Sequence, residues 1–362
     1  VVSAAMTRVV IFAGQRWGPM DNPDGYRKLH GRSVPRLGGM AIYIGVLAPV
    51  AGLLFFRELS IVADVLIAYR SALLGLLVGG TIAVGVGLVD DLLDIKPRWK
   101  LVGQIVCGIV AYWFGFRISS ISNPFGDALN LGIFAFPISV FWFVACMNAI
   151  NLLDGLDGLA AGVSLFVCLT MLLVGLLYQN MFGLLFMAAL SGAVLGFLFF
   201  NFPPARVFMG DSGSMLLGFL IAGISLAGAS RKAETAVALF IPLVALGLPM
   251  FDMLLAVVRR WYHRVPLSFP DHSHIHHALV GMGYSPRRAV LLLYLGSVVL
   301  GGAAVVITVA RSSEVILLIM GSLAAMFFVA MRGFSGVGIM DVLTRLSEDQ
   351  ARQRGLNDAR VE

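Results

Sequence analysis

The chain has 362 residues, of which 59% are hydrophobic and 13% charged, and its formal net charge is +6. A soluble domain carries roughly 25% charged residues, so this composition excludes an ordinary soluble protein and describes one that crosses a membrane repeatedly. Apolar runs close to the roughly 20 residues that span a bilayer as a helix recur along the whole length. The short alternating segments of a transmembrane barrel do not.

Taken in chain order, residues 1–14 read as the end of a helix whose beginning precedes Val1, with no cleavable signal peptide. Ten full spans are predicted after it, at 37–56, 71–89, 101–116, 131–150, 159–178, 181–200, 213–229, 236–258, 289–309 and 314–331. The fold class is therefore all-α and polytopic, with ten complete helices plus a truncated first one. A single transmembrane catalytic domain is expected over 1–340. The charged segment 341–362 reads as a tail, either a surface helix or disordered. Cys107, Cys146 and Cys168 fall in apolar runs and read as packing residues, without a disulfide framework.

Alternate loops lie on opposite faces of the bilayer. The face holding 8–36, 90–100, 148–158, 201–212, 259–288 and everything after 331 carries 20 of the 26 Lys and Arg, which makes it cytoplasmic by the positive-inside rule. All six histidines lie on that face too.

Five polar stretches on this face carry nearly all the ionisable chemistry. Lys28, His30, Arg32 and Arg36 precede Gly38–Gly39 and read either as interfacial anchors or as a basic approach to an anionic substrate. Asp90, Asp91 and Asp94 sit where a span leaves the membrane. Adjacent carboxylates repel, so they call for a cation or a proton. Spacing of four would put Asp90 and Asp94 on one helical face, which suits Mg²⁺ completed by phosphate oxygens; a solvated turn offset by Lys96, Arg98 and Lys100 is the simpler alternative.

In Asn148–Asp157, Asn148, Asn151, Asp154 and Asp157 interrupt an apolar segment, and ionisable groups near membrane depth are costly and mark function by default. Asp154–Gly155 and Asp157–Gly158 predict a tight turn with its carboxylates near the positive N-terminus of the next helix. Asp211, in Met209–Gly210–Asp211–Ser212–Gly213–Ser214, reads as a helix N-cap, a Mg²⁺ ligand, or both. His272, His274, His276 and His277 are too closely spaced for one helical face and predict a loop or re-entrant turn, either plainly solvated or one that contacts phosphate or shuttles protons, Zn²⁺ being a weaker alternative without Cys. Arg259, Arg260 and Arg264 read as anchors, and Asp252 as a lone acid inside a span, paired with Arg259 or Arg260 or serving the site.

Together and in this order, these motifs resemble the polyprenyl-phosphate N-acetylhexosamine-1-phosphate transferase family over about residues 20–290. Asn-x-x-Asn-x-x-Asp-Gly-x-Asp-Gly, Met-Gly-Asp-x-Gly-Ser and His-x-His-His are the specific ones. Pro35–Arg36–Leu37–Gly38–Gly39 and Asp271 to His277 are similar to the bacterial undecaprenyl-phosphate GlcNAc-1-phosphate branch (the WecA/TagO type). Ile275 within the His run and Ala278 after it depart from the phospho-MurNAc-pentapeptide branch.

The resemblance implies eleven helices in a bacterial inner membrane, a cytoplasmic active site, a UDP-N-acetylhexosamine donor, undecaprenyl phosphate as acceptor and Mg²⁺ (or Mn²⁺). It implies chemistry at Asp90, Asp91, His274, His276 and His277. Substrate contacts fall to Lys28, Arg36, Lys100, Asn148, Asn151, Asp154 and Asp157, and metal ligation to Asp211 with Asp91. Nucleic acid is not expected as a partner, and a homodimer is left open. The rivals are the peptidoglycan branch, a CDP-alcohol phosphatidyltransferase (Asp157–Gly158–Leu159–Ala160–Ala161–Gly162 lacks the Arg and further acids it needs) and a cation- or proton-coupled transporter, for which no internal repeat is found.

Overall fold

A computed structural model of the chain describes residues 1–17, 20–21, 33–56, 61–123, 126–227, 243–262, 274–310 and 321–322. Helix α1 (Val2–Trp17) is followed by the pairing of β1 (Met20–Asp21) with β2 (Val34–Pro35). Then come α2 (Gly38–Phe55), α3 (Ile61–Ala68), α4 (Arg70–Leu93) and α5 (Pro97–Trp113). The loop expected over 117–130 is a hairpin of β3 (Ser120–Asn123) and β4 (Gly126–Asn130), with Ser120 opposite Asn130 and an irregularity between Ile121 and Asn123. Helices α6 (Ala135–Leu153), α7 (Leu159–Leu177), α8 (Met181–Asn201) and α9 (Gly210–Ala227) follow. The last described helices are α10 (Gly247–Tyr262), α11 (Ile275–Gly281) and α12 (Pro286–Ala310).

Seven helical segments are long and apolar enough to cross a membrane: 38–55, 70–93, 132–153, 159–177, 181–201, 210–227 and 286–309. The protein is thus an all-α, multi-pass membrane protein, its only described strands being the two short pairings. These seven coincide with seven of the expected spans. The span expected at 101–116 falls on α5, which is shorter and opens on the polar turn Pro97–Lys100. Of the span at 236–258 the described part is 243–258, mostly in α10. The span at 314–331 lies almost wholly outside the described residues, as do Lys28, His30, Arg32, His263, Arg264, His272 and the tail.

Helix α9 is the hub of the bundle. It is 83% buried inside the protein, against 33% for α12, and α4, α6 and α2 pack around it. Lipid cannot drive helices together by hydrophobicity, so small residues that let backbones approach do the work. Gly79 of α4 leaves no room beyond the Phe219 ring, Gly218 of α9 lies on the backbone of Met147, and Gly223 of α9 faces Leu76. Helix α1 joins the bundle by packing on α2 and α8, with Ser3 Oγ donating to Ala193 O at 2.6 Å. Cys107, Cys146 and Cys168 are buried free thiols, as expected of packing residues.

Candidate active site

The site is organised around the first turn of α9. The approach to it is held by backbone alone: Phe208 N donates to Pro35 O, Gly38 N to Phe208 O and Gly39 N to Met209 O, each at 2.9 Å. Gly210 then turns the chain at φ +70°, in the left-handed region open to glycine. Its Cα faces Arg36 O and the Asp91 carboxylate, so no side chain fits there.

Asp91, near the end of α4, accepts Asp211 N–H on Oδ1 at 2.8 Å and Ser212 N–H on Oδ2 at 3.0 Å. These are two of the orphan donors of the α9 N-terminus. The helix is therefore capped by Asp91 from another helix, and the expected N-cap role of Asp211 is not taken. The capping role leaves both Asp91 oxygens engaged with amides.

Released from capping, Asp211 points to Lys100. The Lys100 ammonium bridges Asp211 Oδ2 and Asp90 Oδ2, the latter at 3.0 Å, and donates to Asn151 Oδ1 at 3.2 Å. Asn151 Nδ2 donates to Asp211 Oδ1 and approaches Ser214 Oγ at 2.9 Å. Helices α4, α5, α6 and α9 thus each supply one member of a single network. Asp90 Oδ1 also accepts Ile95 N–H at 3.0 Å. Asp94 does not share a helical face with Asp90. The helix ends at Leu93, and Asp94 leaves it at φ +48°, exposed.

Asn148 and Gln104 exchange side-chain hydrogen bonds, Asn148 Nδ2 to Gln104 Oε1 at 2.7 Å and Gln104 Nε2 to Asn148 Oδ1 at 3.3 Å. Gln104 lies one turn beyond Lys100 and Asn148 one turn before Asn151, so the pair sets the register of α5 on α6 where the network begins. Gln104 was not among the expected site residues. A polar residue inside the apolar run, four after Lys100, was the available signal.

The turn 154–158 forms as expected, but Asp157 does not serve the N-terminus of α7. Its Oδ2 accepts Ala205 N–H at 2.9 Å, while Gly158, at φ +75°, donates its N–H to Asn201 Oδ1 at 3.1 Å and its carbonyl accepts Tyr294 Oη–H at 2.6 Å. The positive φ of Gly158 turns the chain end outward, so the carboxylate meets the 202–206 loop instead. Asn201 and Tyr294 had no distinguishing sequence signal, since each is one polar group in an apolar span.

Of the histidines, His274 and His276 are buried, and α11 carries His276 and His277. The expected loop is a short helix here. The rings of His276 and His277 lie 4.2 Å apart, and His274 stacks parallel to His276 at 5.8 Å. His276 Nε2 abuts Gly155, where a Cβ would overlap it. Asp252 accepts Ile275 N–H and pairs with His274 Nδ1, each at 3.1 Å, which places it beside the histidines of the candidate site.

The electrostatics outside the spans follow from this packing. Burial pushes Asp154 up to about 8, reinforced by the carboxylates of Asp211, Asp91 and Asp157 and partly offset by Arg36. Burial pushes His276 down to about 3, helped by His277 and His274, so it is neutral. Burial also works against the Lys100 ammonium, but Asp211 and Asp90 overcome it and hold it above its ordinary value.

Among the described residues no three His, Cys, Asp or Glu form a ready cage for a metal. Mg²⁺ does not require one: it commonly takes one or two carboxylates and completes its shell with water and phosphate. Asp90 and Asp211 already converge on one cation, so the donor set fits that ion. Asp91, with both oxygens on amides, fits it less well than the resemblance implies.

The glycosyl transferase family 4 model matches residues 73–229, from α4 to the end of α9. A Bacillus subtilis protein named "Probable undecaprenyl-phosphate N-acetylglucosaminyl 1-phosphate transferase" is 37% identical over 296 residues, covering 82% of this chain and 78% of its own. A "Decaprenyl-phosphate N-acetylglucosaminephosphotransferase" of Mycobacterium tuberculosis is 34% identical, over 76% of this chain and 73% of its own. An "Undecaprenyl-phosphate alpha-N-acetylglucosaminyl 1-phosphate transferase" of Escherichia coli is 29% identical, over 78% and 75%.

Fold and family match together define a membrane-embedded glycosyl transferase. The chain belongs to the polyprenyl-phosphate N-acetylhexosamine-1-phosphate transferase family, on the side of its bacterial GlcNAc-1-phosphate branch. The peptidoglycan-branch and transporter alternatives find no support among these relatives.

Proposed function

We propose that the protein transfers GlcNAc 1-phosphate from UDP-GlcNAc to undecaprenyl phosphate, releasing UMP, as the first membrane step toward a cell-envelope polysaccharide. The relatives' names support the substrates. The observation that carries the chemistry is the Lys100 ammonium shared by Asp90, Asp211 and Asn151 beside the α9 N-terminus.

An oxygen of the lipid phosphate attacks the β-phosphorus of the donor. The bond from that phosphorus to the α,β-bridging oxygen breaks, and UMP leaves. The lipid phosphate has a second pKa near 6, so it needs little help as a nucleophile at neutral pH. The work is to bring two anions together, and positioning with electrostatics supplies most of the catalysis in such transfers. Lys100 and Arg36 offset that charge from described positions, and Lys28 would add to them. Asp90 faces the reaction and takes any residual proton, whereas Asp91 holds the α9 N-terminus in place. Asn151 and Asn148 orient the network, Asp154 and Asp157 shape the turn for the nucleotide, and His274, His276 and His277 flank the diphosphate. Mg²⁺ (or Mn²⁺) held by Asp211 and Asp90 would supply charge neutralisation for the diphosphate. The basic asymmetry supports a cytoplasmic site in a bacterial plasma membrane, and the hydropathy supports ten spans after α1.

The test is purified protein in detergent with radiolabelled UDP-GlcNAc, undecaprenyl phosphate and Mg²⁺. Label should enter the lipid with an equal release of UMP, and excess EDTA should stop it. Label entering only from another UDP-sugar overturns the donor assignment, and full turnover in EDTA overturns the metal.

A further inference from the structure

Asp252 of α10 is 0% exposed and is the one acid among the described residues that is fully buried. A carboxylate without partners at such a place is costly. This one has two. Oδ1 accepts Ile275 N–H and Oδ2 meets His274 Nδ1, each at 3.1 Å. A carboxylate only accepts hydrogen bonds, so a carboxylate at Asp252 would select the His274 tautomer with its proton on Nδ1, leaving Nε2 as the ring's other nitrogen. Holding the next residue's backbone as well, the same carboxylate fixes both the ring and the point where α11 starts. His274 is the N-cap residue of α11, but its own side chain does not cap the helix.

The rings carry this constraint onward. His274 lies parallel to His276, within 1°, and His276 abuts His277. His276 is 1% exposed, and neither ring nitrogen has a hydrogen-bond partner among the described residues. Its Nε2 rests on Gly155, next to Asp154. A contiguous line of contacts therefore runs from a buried acid of α10 to the turn that carries Asp154. A plain helix–helix staple explains the burial less well, because a buried ion pair is seldom better than apolar packing, and apolar packing would not select one ring nitrogen.

We propose that Asp252 is a positioning residue of the transfer site, fixing the tautomer and orientation of His274 and, through the imidazole stack, the seating of His276 against the Asp154–Gly155 turn. The kinetic part rests on the proposed function. Orienting partners of histidines at metal sites cost about 10–100-fold when removed, and a loss in that range is expected here.

The test is Asp252→Asn in the full chain. An amide offers one acceptor oxygen, so it can serve Ile275 N–H or His274 Nδ1–H but not both. Its kcat for UDP-GlcNAc should fall within that range while KM changes little. In a His274→Ala background, Asp252→Asn should add nothing further, since both act through one ring. Losses that multiply overturn the proposal. A second measurement does not depend on turnover: ¹⁵N-histidine NMR, with the His274 signal assigned by its loss in His274→Gln. The wild-type ring should carry its proton on Nδ1, and Asp252→Asn should move it. A wild-type His274 with a bare Nδ1 overturns the proposal even if Asp252→Asn fails to fold. Absence of transfer by the wild type, with the NMR result as expected, refutes the proposed function and leaves the Asp252–His274 coupling standing.

Discussion

Asp90 and Asp91 are adjacent in sequence but face different partners, and their amide variants should separate cleanly. In Asp91→Asn, one of the two N–H groups of Asp211 and Ser212, held at 2.8 and 3.0 Å, loses its acceptor and meets an NH₂ group. A hydrogen bond to a charged group contributes roughly 1.5–3 kcal/mol, and a negative charge at a helix N-terminus roughly 0.3–1 kcal/mol. The expected cost is about 2–4 kcal/mol. In Asp90→Asn, Oδ1 still accepts Ile95 N–H, and Lys100 keeps Asp211 and Asn151. The lost 3.0 Å ion pair is offset by relief of repulsion with Asp211, so the stability change should stay within about 1 kcal/mol. Turnover should behave the other way. Asp90→Asn, which removes a candidate base, should lose about 10²–10⁴-fold in kcat in a protein that unfolds almost normally. Thermal unfolding in detergent, read beside single-turnover transfer, measures both. If Asp91→Asn unfolds no earlier than Asp90→Asn, the capping assignment is wrong.

Three further outcomes are expected. Asp154 titrates near 4 when unfolded and at about 8 when folded, so between these values the folded chain holds a proton that the unfolded chain has released, and stability falls as pH rises. His276 acts in the opposite sense, from about 6.5 unfolded to about 3 folded, and its contribution is lost as pH falls through that window. Above pH 6.5 only the first remains, so the melting temperature of Asp154→Asn should decline less than the wild type between pH 6.5 and 8; parallel curves would remove Asp154 from the account. Gly210→Ala forces a Cβ into a left-handed backbone at φ +70° and should cost at least about 1–2 kcal/mol, whereas Gly192→Ala, with open space around it, should not; equal melting temperatures contradict the geometry. With Cys107, Cys146 and Cys168 replaced, a cysteine at the exposed Asp94 should resist an impermeant thiol reagent in intact cells, and one at exposed Ser119 should react; the reverse pattern inverts the orientation.

The sequence exposed the residues of the candidate site better than their connections. Asp90, Lys100, Asn151 and Asp211 could be chosen because charge and amides stand out against hydrocarbon, and they do meet. Their division of labour was hidden. Whether Asp91 or Asp211 caps α9 depends on how α4 crosses α9, and no local pattern reports a crossing. Asp94 was misplaced because an i, i+4 rule assumes that the helix continues, and it stops at Leu93. Asp157 was assigned to the nearest helix end, yet a residue 48 positions away in sequence, Ala205, was the partner. The spans at 38–55 and 159–177 were legible from length alone. Segment 101–116 was harder to place, because α5 begins with the polar turn that delivers Lys100.

The seam around the start of α9 also tells an enzyme engineer where not to look. Gly39, Gly87 and Gly213 bring three helices into contact there with almost no side chain between them. Libraries meant to change the accepted sugar would lose most members at these positions to misfolding. Changes in the Asp154–Asp157 turn or in the segment from His274 to His277 would instead act on the candidate site's own contacts, such as Asp157 on Ala205 N–H and Asp252 on Ile275 N–H, rather than on this seam. Any side chain introduced at exposed Gly155 would displace the His276 ring, because the backbone of one is the floor on which the ring of the other stands.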